Sequence, residues 1–356
     1  MVNKTNLKPL HCCSPAPNAR TLMQWLLIFE YLLTITNTLG FTSVSLQTPP
    51  STMLFLPQSM PAINILRKEG ADIATFDKNN ISGFPQGTLR ILFLNLMPQK
   101  AVTELDIARV ICRNHRPVAL LPMKIANQTY KTTPPEHMER FYTDFEYFEN
   151  APNPHFDGMI VTGAPVEHLP FENVRYWTQL CHIMSWAEAH VRSTLYICWG
   201  AQAALQHLYG IPKHQLPAKK FGVFIQKKLA GDAPILRHLP ENFPMPNSRH
   251  TEVQRKDIER HPLHIVAESE ESGVGIVTSA DGTQQIFIVG HLEYEPKTLH
   301  NEYQRDLSKG LPIAPPLHYY HHDKPQEGID FSWQKTAATF YSNWLDICGK
   351  ETVREP

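Results

Sequence analysis

The 356-residue chain has six cysteines but no CxxC pair among them, no internal repeat and no low-complexity tract. Cys12, Cys13, Cys112, Cys181, Cys198 and Cys348 follow no even framework of spacings, which argues against a zinc knuckle and a disulfide scaffold. Reduced, cytoplasmic thiols fit that usage. Charge of one sign is also missing: 33 Lys and Arg against 34 Asp and Glu leave a net −1, so nothing global points to nucleic acid or an anionic membrane. The basic pairs Lys219-Lys220 and Lys227-Lys228 are too short to change that, and read as solvated faces or single substrate contacts. An apolar stretch from Leu22 to Ile35 is interrupted by Gln24 and Glu30. A spanning helix needs about 20 apolar residues, and a central glutamate costs a few kcal/mol there. What the chain does have is 42% hydrophobic residues, ample for a buried core.

Residues 1–55 read differently from the rest. Lys4, Lys8 and Arg20 precede the apolar stretch as in a secretory leader, yet no cleavage site is defined. A disordered extension, or translation starting at Met53 or Met60, explains the same residues and suits the cytosolic core that follows. We expect a single α/β catalytic domain over 56–350.

From Leu89 the chain alternates strand and helix. Near-continuous apolar runs at 89–96, 118–123, 158–161 and 194–197 have the pattern of strands covered on both faces. Between them, helices are expected over about 101–112, 136–148 and 172–189, the last with Val174, Trp177, Cys181 and Met184 on one face. Beyond Pro212 strands are expected at 221–225, 264–268, 273–278 and 285–289, with an Asp281-Gly282 turn between the last two, then helices at 297–307 and 333–347. This order predicts a doubly wound, mostly parallel sheet with helices on both faces. Reactive groups in such sheets gather at the carboxyl ends of strands, where Thr162, Cys198 and His291 fall.

The stretch from Thr194 to Leu205 (TLYICWGAQAAL) runs from strand character straight into a cysteine and then into small, helix-forming residues. Such a turn lifts its central side chain over a helix N-terminus, whose free N–H groups favour thiolate over thiol. It is a nucleophile elbow written with cysteine. A buried structural cysteine would read the same way were it alone. Gly290-His291-Leu292-Glu293, at another strand end, supplies a base and an orienting carboxylate, and Cys198, His291 and Glu293 then form a nucleophilic triad. His291 and Glu293 are one residue apart, so in extended chain they lean to the same side. The N–H groups of Gly163, in the loop from Thr162 to Pro165, and of Trp199 would make an oxyanion hole. An ordinary strand-ending turn accounts for that loop equally well.

Five segments together carry a specific resemblance. They are Leu94-Asn95-Leu96-Met97-Pro98, Val161-Thr162-Gly163-Ala164-Pro165, Cys198-Trp199 with Gln202 to Leu205, Leu208-Tyr209-Gly210-Ile211-Pro212 and Gly290-His291-Leu292-Glu293-Tyr294. From Pro61 to the neighbourhood of Trp344 the chain resembles the homoserine O-acyltransferases of methionine biosynthesis. These are a branch of the class I glutamine amidotransferase-like, flavodoxin-like fold. The resemblance implies an acyl-thioester on Cys198, with His291 as base and Glu293 as its partner. It puts substrate binding at Lys219, Ser248 and Arg305, and it implies a homodimer. Leu292 departs from the family, where proline is usual.

Glu167 falls on the family's donor-selecting position, where glycine accompanies succinyl-CoA and glutamate acetyl-CoA. A succinyl carboxylate about 4 Å from Glu167 would be repelled by roughly 4 kcal/mol at an effective dielectric near 20. The resemblance thus implies acetyl-CoA as co-substrate, L-homoserine as acceptor and no bound cofactor. O-succinyl transfer and a glutaminase of the amidotransferase type are the rival readings. His318, His321, His322 and Asp323 look like a metal cluster, but adjacent histidines diverge and the spacing fits no standard site, so no metal is expected.

Overall fold

The computed structural model describes residues 53–350. The apolar stretch at 22–35 and the alternative readings of 1–52 lie outside the described residues.

In chain order the elements open with β1 (Leu54–Pro57), α1 (Pro61–Lys68), β2 (Ile73–Phe76), β3 (Leu89–Leu94) and α2 (Lys100–Ile111). After β4 (Val118–Lys124) come α3 (Pro135–Phe141), β5 (Thr143–Asp144), α4 (Phe145–Glu149), β6 (Phe156–Val161) and α5 (Trp177–His190). The segment around Cys198 is β7 (Val191–Ile197) and α6 (Trp199–Tyr209). Then follow β8 (His214–Lys228), β9 (Asn242–Glu252), α7 (Arg255–Ile258), β10 (Leu263–Ser269), β11 (Gly273–Ser279) and β12 (Gln285–Ile288). The helices α8 (Thr298–Ser308) and α9 (Gln334–Cys348) close the described chain.

All strands belong to one sheet, ordered β2-β1-β4-β3-β6-β7-β12-β11-β10-β8-β9, with β5 added beside β4. From β2 to β12 every pairing is parallel, and from β12 to β9 every pairing is antiparallel. Alternate residues of each parallel strand feed two separate cores. Ile91 and Phe93 pack with α1, α2 and α9 on one face. Leu92 and Leu94 pack with α5 and α6 on the other. The double winding follows from that two-sided burial. No helix of the described residues is long and apolar enough to cross a membrane.

Several expectations need correction. The first strand, β1, straddles the boundary expected at 56, and Leu54 and Leu56 are wholly buried in it. A chain starting at Met60 would lack that strand. The single helix expected at 136–148 is two, because Tyr142 leaves helical geometry and Thr143–Asp144 pair with Met123–Lys124. The Tyr142 side chain is buried and donates to Glu104 Oε1 at 2.6 Å, which holds the break. The helix expected from 172 begins at Trp177, since Val174 is extended after a short turn at 171–173.

The long pair β8–β9 was only partly foreseen. Pro244 and Pro246 within β9 spoil a strand pattern, but β9 is the sheet's last strand, where a missing N–H costs no ladder bond.

Candidate active site

Cys198 sits between β7 and α6 with φ 52° and ψ −116°, a conformation side chains avoid and one that costs about 1–3 kcal/mol. Its neighbours over-determine it. The Cys198 N–H donates to Ile288 O of β12 at 2.7 Å, and its carbonyl accepts from Ala201 and Gln202 at 3.0 and 3.2 Å. A Cβ on Gly200 would stand 2.6 Å from Thr162 O, so only glycine lets α6 close on the end of β6. Likewise a Cβ on Gly163 would lie 3.2 Å from Cys198 Cβ and 3.6 Å from Trp199 N. Trp199 is the first residue of α6, so its N–H has no carbonyl behind it in the helix.

Because β12 runs parallel to β7 with Ile288 opposite Ile197, the chain leaving β12 arrives beside the elbow. Here His291 N donates to Pro246 O at 2.8 Å. Residues 291–294 form a turn rather than the extended chain expected, with Tyr294 N reaching back to His291 O. The pairing survives: His291 Nδ1 and Glu293 Oε1 are 2.6 Å apart. A carboxylate there makes Nδ1 the donor and leaves Nε2 for Cys198, whose charge acts on the same ring. Tyr294 lies flat on the imidazole, ring centroids 4.0 Å apart and planes 11° from parallel. Burial pulls the His291 pKa down, but the Cys198 thiolate and the Glu293 carboxylate outweigh it and raise it well above the usual value. The imidazolium is thereby the favoured partner of a thiolate.

Lys219 of β8, Ser248 of β9 and Arg305 of α8, far apart in sequence, line one cleft of about 460 Å³ with Cys198 and His291. What joins them is a residue the sequence reading missed, Glu302. Its carboxylate accepts from Lys219 Nζ at 2.7 Å and from Ser248 Oγ at 2.8 and 2.9 Å, with Arg305 at 3.4 Å. Asp306, also unforeseen, takes Arg305 Nε at 2.7 Å, and that bond holds its carboxyl below the usual range. The i, i+3 relation of Glu302 to Arg305 on one helix was the signal available.

Glu167 lines the same cleft and accepts the His250 N–H at 2.5 Å through Oε2. Lys100 is a further omission: buried at 3% exposure, it donates to Asn95 O and Met97 O, fixing the loop after β3. Burial pulls its pKa down to about 8 against the pull of Glu104. Asp106, also buried, is pushed up to about 8 by burial, then by Glu293 and Glu295.

Of the histidine cluster, His318 and Asp323 meet, with the His318 N–H donating to Asp323 Oδ1 at 2.8 Å, while the histidines take separate partners. His318 pairs with Glu271 and His322 with Glu327, all on the surface. Among the described residues no group of His, Cys, Asp and Glu is arranged to hold a metal.

A family model described as homoserine O-succinyltransferase matches residues 53–354. The homoserine O-acetyltransferase of Parabacteroides distasonis is 47% identical over 82% of this chain and 93% of its own length. That of Brevibacillus brevis is 44% identical over 82% of this chain and 94% of its own. Among solved structures, a glutamine amidotransferase from Thermotoga maritima aligns with a TM-score of 0.45 at 14% identity, covering 74% of this chain and 99% of that one.

Proposed function

Since the chain belongs to the homoserine O-succinyltransferase family, we propose that it transfers an acetyl group from acetyl-CoA to the hydroxyl of L-homoserine through a thioester on Cys198. The observation that carries this is the strained Cys198 elbow joined to the His291–Glu293 pair at the floor of the Lys219–Ser248–Arg305 cleft. The acetyl donor is supported by the names of relatives 47% and 44% identical and by a glutamate at 167.

The Cys198 thiolate attacks the acetyl carbonyl, and the collapsing intermediate expels coenzyme A, which takes its proton from the His291 imidazolium. The developing oxyanion lies toward the Trp199 and Gly163 N–H groups. Neutral His291 then removes the homoserine hydroxyl proton as that oxygen attacks the acetyl-enzyme. The C–S bond breaks, O-acetylhomoserine leaves, and the thiolate–imidazolium pair is restored. Glu293 holds the imidazole tautomer through both halves. In the acceptor site Arg305 suits the amino acid's carboxylate, Glu302 its ammonium group, and Ser248 the length of its side chain. No step calls for a metal or a redox cofactor. A homodimer in the cytoplasm completes the reading.

A coenzyme A release assay crossing acetyl- and succinyl-CoA with homoserine and serine tests it. Turnover with acetyl-CoA and homoserine, and an acetylated Cys198 peptide when the acceptor is withheld, are expected. Equal use of succinyl-CoA would remove the donor assignment. Glutamine hydrolysis without acyl-CoA turnover would replace the activity altogether.

A further inference from the structure

Arg249 is the most thoroughly buried cation of the described residues, at 1% exposure, and it makes no ion pair with any of them. Its guanidinium spends its hydrogen bonds on neutral acceptors. Nε donates to Asn247 Oδ1 at 3.1 Å, one terminal nitrogen to Thr251 O at 2.8 Å and the other to Ser272 O. A buried charge costs several kcal/mol unless something compensates it, and removing water without an anion at hand is the costly case. Lys219 and Arg305, the cations of the cleft, are already committed to Glu302 and Asp306. Arg249 alone of these three keeps its charge unanswered.

Its position in the fold says what the charge faces. Ser248 and His250, on either side of it along β9, line the cleft, whereas Arg249 points away from the cleft. The Thr251 carbonyl that accepts its hydrogen bond also accepts one from Gln202 Nε2 at 3.2 Å, and the Gln202 N–H donates to Cys198 O at 3.2 Å. Thr251 Oγ1 adds a bond of 2.7 Å to Gln202 Oε1. The guanidinium is therefore tied to the first turn of the helix that carries the nucleophile. Burial pulls its pKa down, and the anions opposing that are Cys198 first, then Glu252 and Glu167.

We propose that Arg249 is a positioning residue whose fixed buried charge stabilises the Cys198 thiolate from behind the elbow, through the Thr251–Gln202 link. This rests on the nucleophilic role of Cys198 proposed above. The other charged groups around the thiol are mixed in sign. His291 favours the thiolate. Glu293, on the far side of that ring, and Glu167 oppose it, and Lys219 is neutralised by Glu302. Tyr294 faces it as a neutral phenol, its pKa raised well above the usual value by burial first and then by Glu302, Glu293 and the thiolate. A cation without a carboxylate of its own shifts that balance towards the ionised sulfur.

The test is the pH profile of alkylation of the Cys198 peptide by iodoacetamide, read by mass spectrometry in the absence of any substrate. Arg249→Met should move the profile up by about one unit, a tenfold slower reaction below the inflection. Arg249→Lys, which keeps the charge but not the three hydrogen bonds, should lose thermal stability and leave the profile within about 0.3 units. Equal displacement by Met and Lys, or no displacement by a folded Met variant, would overturn the proposal. Should the Met variant not fold, the unaltered protein decides. A buried source predicts the same profile at 50 mM and 1 M salt, and a profile that moves with salt would assign the effect to exposed lysines. Because alkylation needs no turnover, a failed acetyltransfer assay with an intact Arg249 effect separates this inference from the donor and acceptor assignments.

Discussion

The His291 imidazole and the Glu293 carboxylate meet at 2.6 Å where His291 is 3% and Glu293 5% exposed. The other carboxylate oxygen of Glu293 has no hydrogen-bond partner among the described residues. A charge kept in such a place acts chiefly on its neighbour. We expect Glu293→Gln to lower kcat about 10²- to 10⁴-fold, as loss of the wrong-tautomer brake does in other triads. The raised His291 pKa should fall with it, so the basic limb of the kcat/KM profile moves to lower pH. A histidine whose folded pKa is raised contributes stability present in full below about pH 6.5, and loses it as pH rises through the folded value. The variant should therefore melt less differently from the parent at high pH than at pH 6, which scanning calorimetry reads.

Glu302 gathers Lys219, Ser248 and Arg305, the proposed acceptor site, and its removal should act on the acceptor alone. With the ammonium contact gone, Glu302→Gln should raise the KM for homoserine by about tenfold or more, roughly one charge-assisted hydrogen bond of 1.5–3 kcal/mol. Acetylation of Cys198 in a single half-reaction should be within about twofold of the parent. A slowed half-reaction would move Glu302 from the acceptor site to the nucleophile.

Glu167 combines a charge and a volume, and two variants separate them. Its Oε2 accepts the His250 N–H, a bond Gln can keep through its amide oxygen. If repulsion selects the donor, Glu167→Gln gains succinyl-CoA turnover nearly as well as Glu167→Gly, by up to about a thousandfold from roughly 4 kcal/mol. If space selects it, only glycine gains.

Asp106 should be an acid that destabilises the fold as pH rises. Its carboxyl, pushed up to about 8 by burial and then by Glu293 and Glu295, stays protonated in the folded protein at pH 7 and ionises in the unfolded chain. Between about pH 4 and pH 8 the folded state binds the extra proton, so stability falls across that window. Asp106→Asn should match the parent near pH 4 and melt higher at pH 8. The ceiling is about 5 kcal/mol at 1.36 kcal/mol per unit.

Particular residues show how far reading the chain can go. The apolar runs of β3, β4, β6 and β7 announced a two-sided sheet because burial on both faces leaves no polar period. Cys198, His291 and Glu293 were legible because each sits where such a strand ends. Glu302, Asp306, Lys100 and Arg249 were not, since a charged residue in a polar stretch looks the same whether water or another side chain satisfies it. The break at Tyr142 was equally hidden. Its helical spacing is sound, and a buried carboxylate at Glu104, brought from another helix, together with the pairing of Thr143–Asp144 beside β4, makes leaving the helix favourable.

Local sequence was enough for the alternation of elements, the small residues that permit the elbow and the cysteine set at its turn, because those depend on neighbours within a few bonds. Tertiary structure alone decided which charges face one another: Glu302 among Lys219, Ser248 and Arg305, and Arg249 behind Cys198 with no anion of its own. Electrostatic energy depends on distance and on how much water is left between groups, and neither exists until β8, β9 and α8 are folded against the elbow.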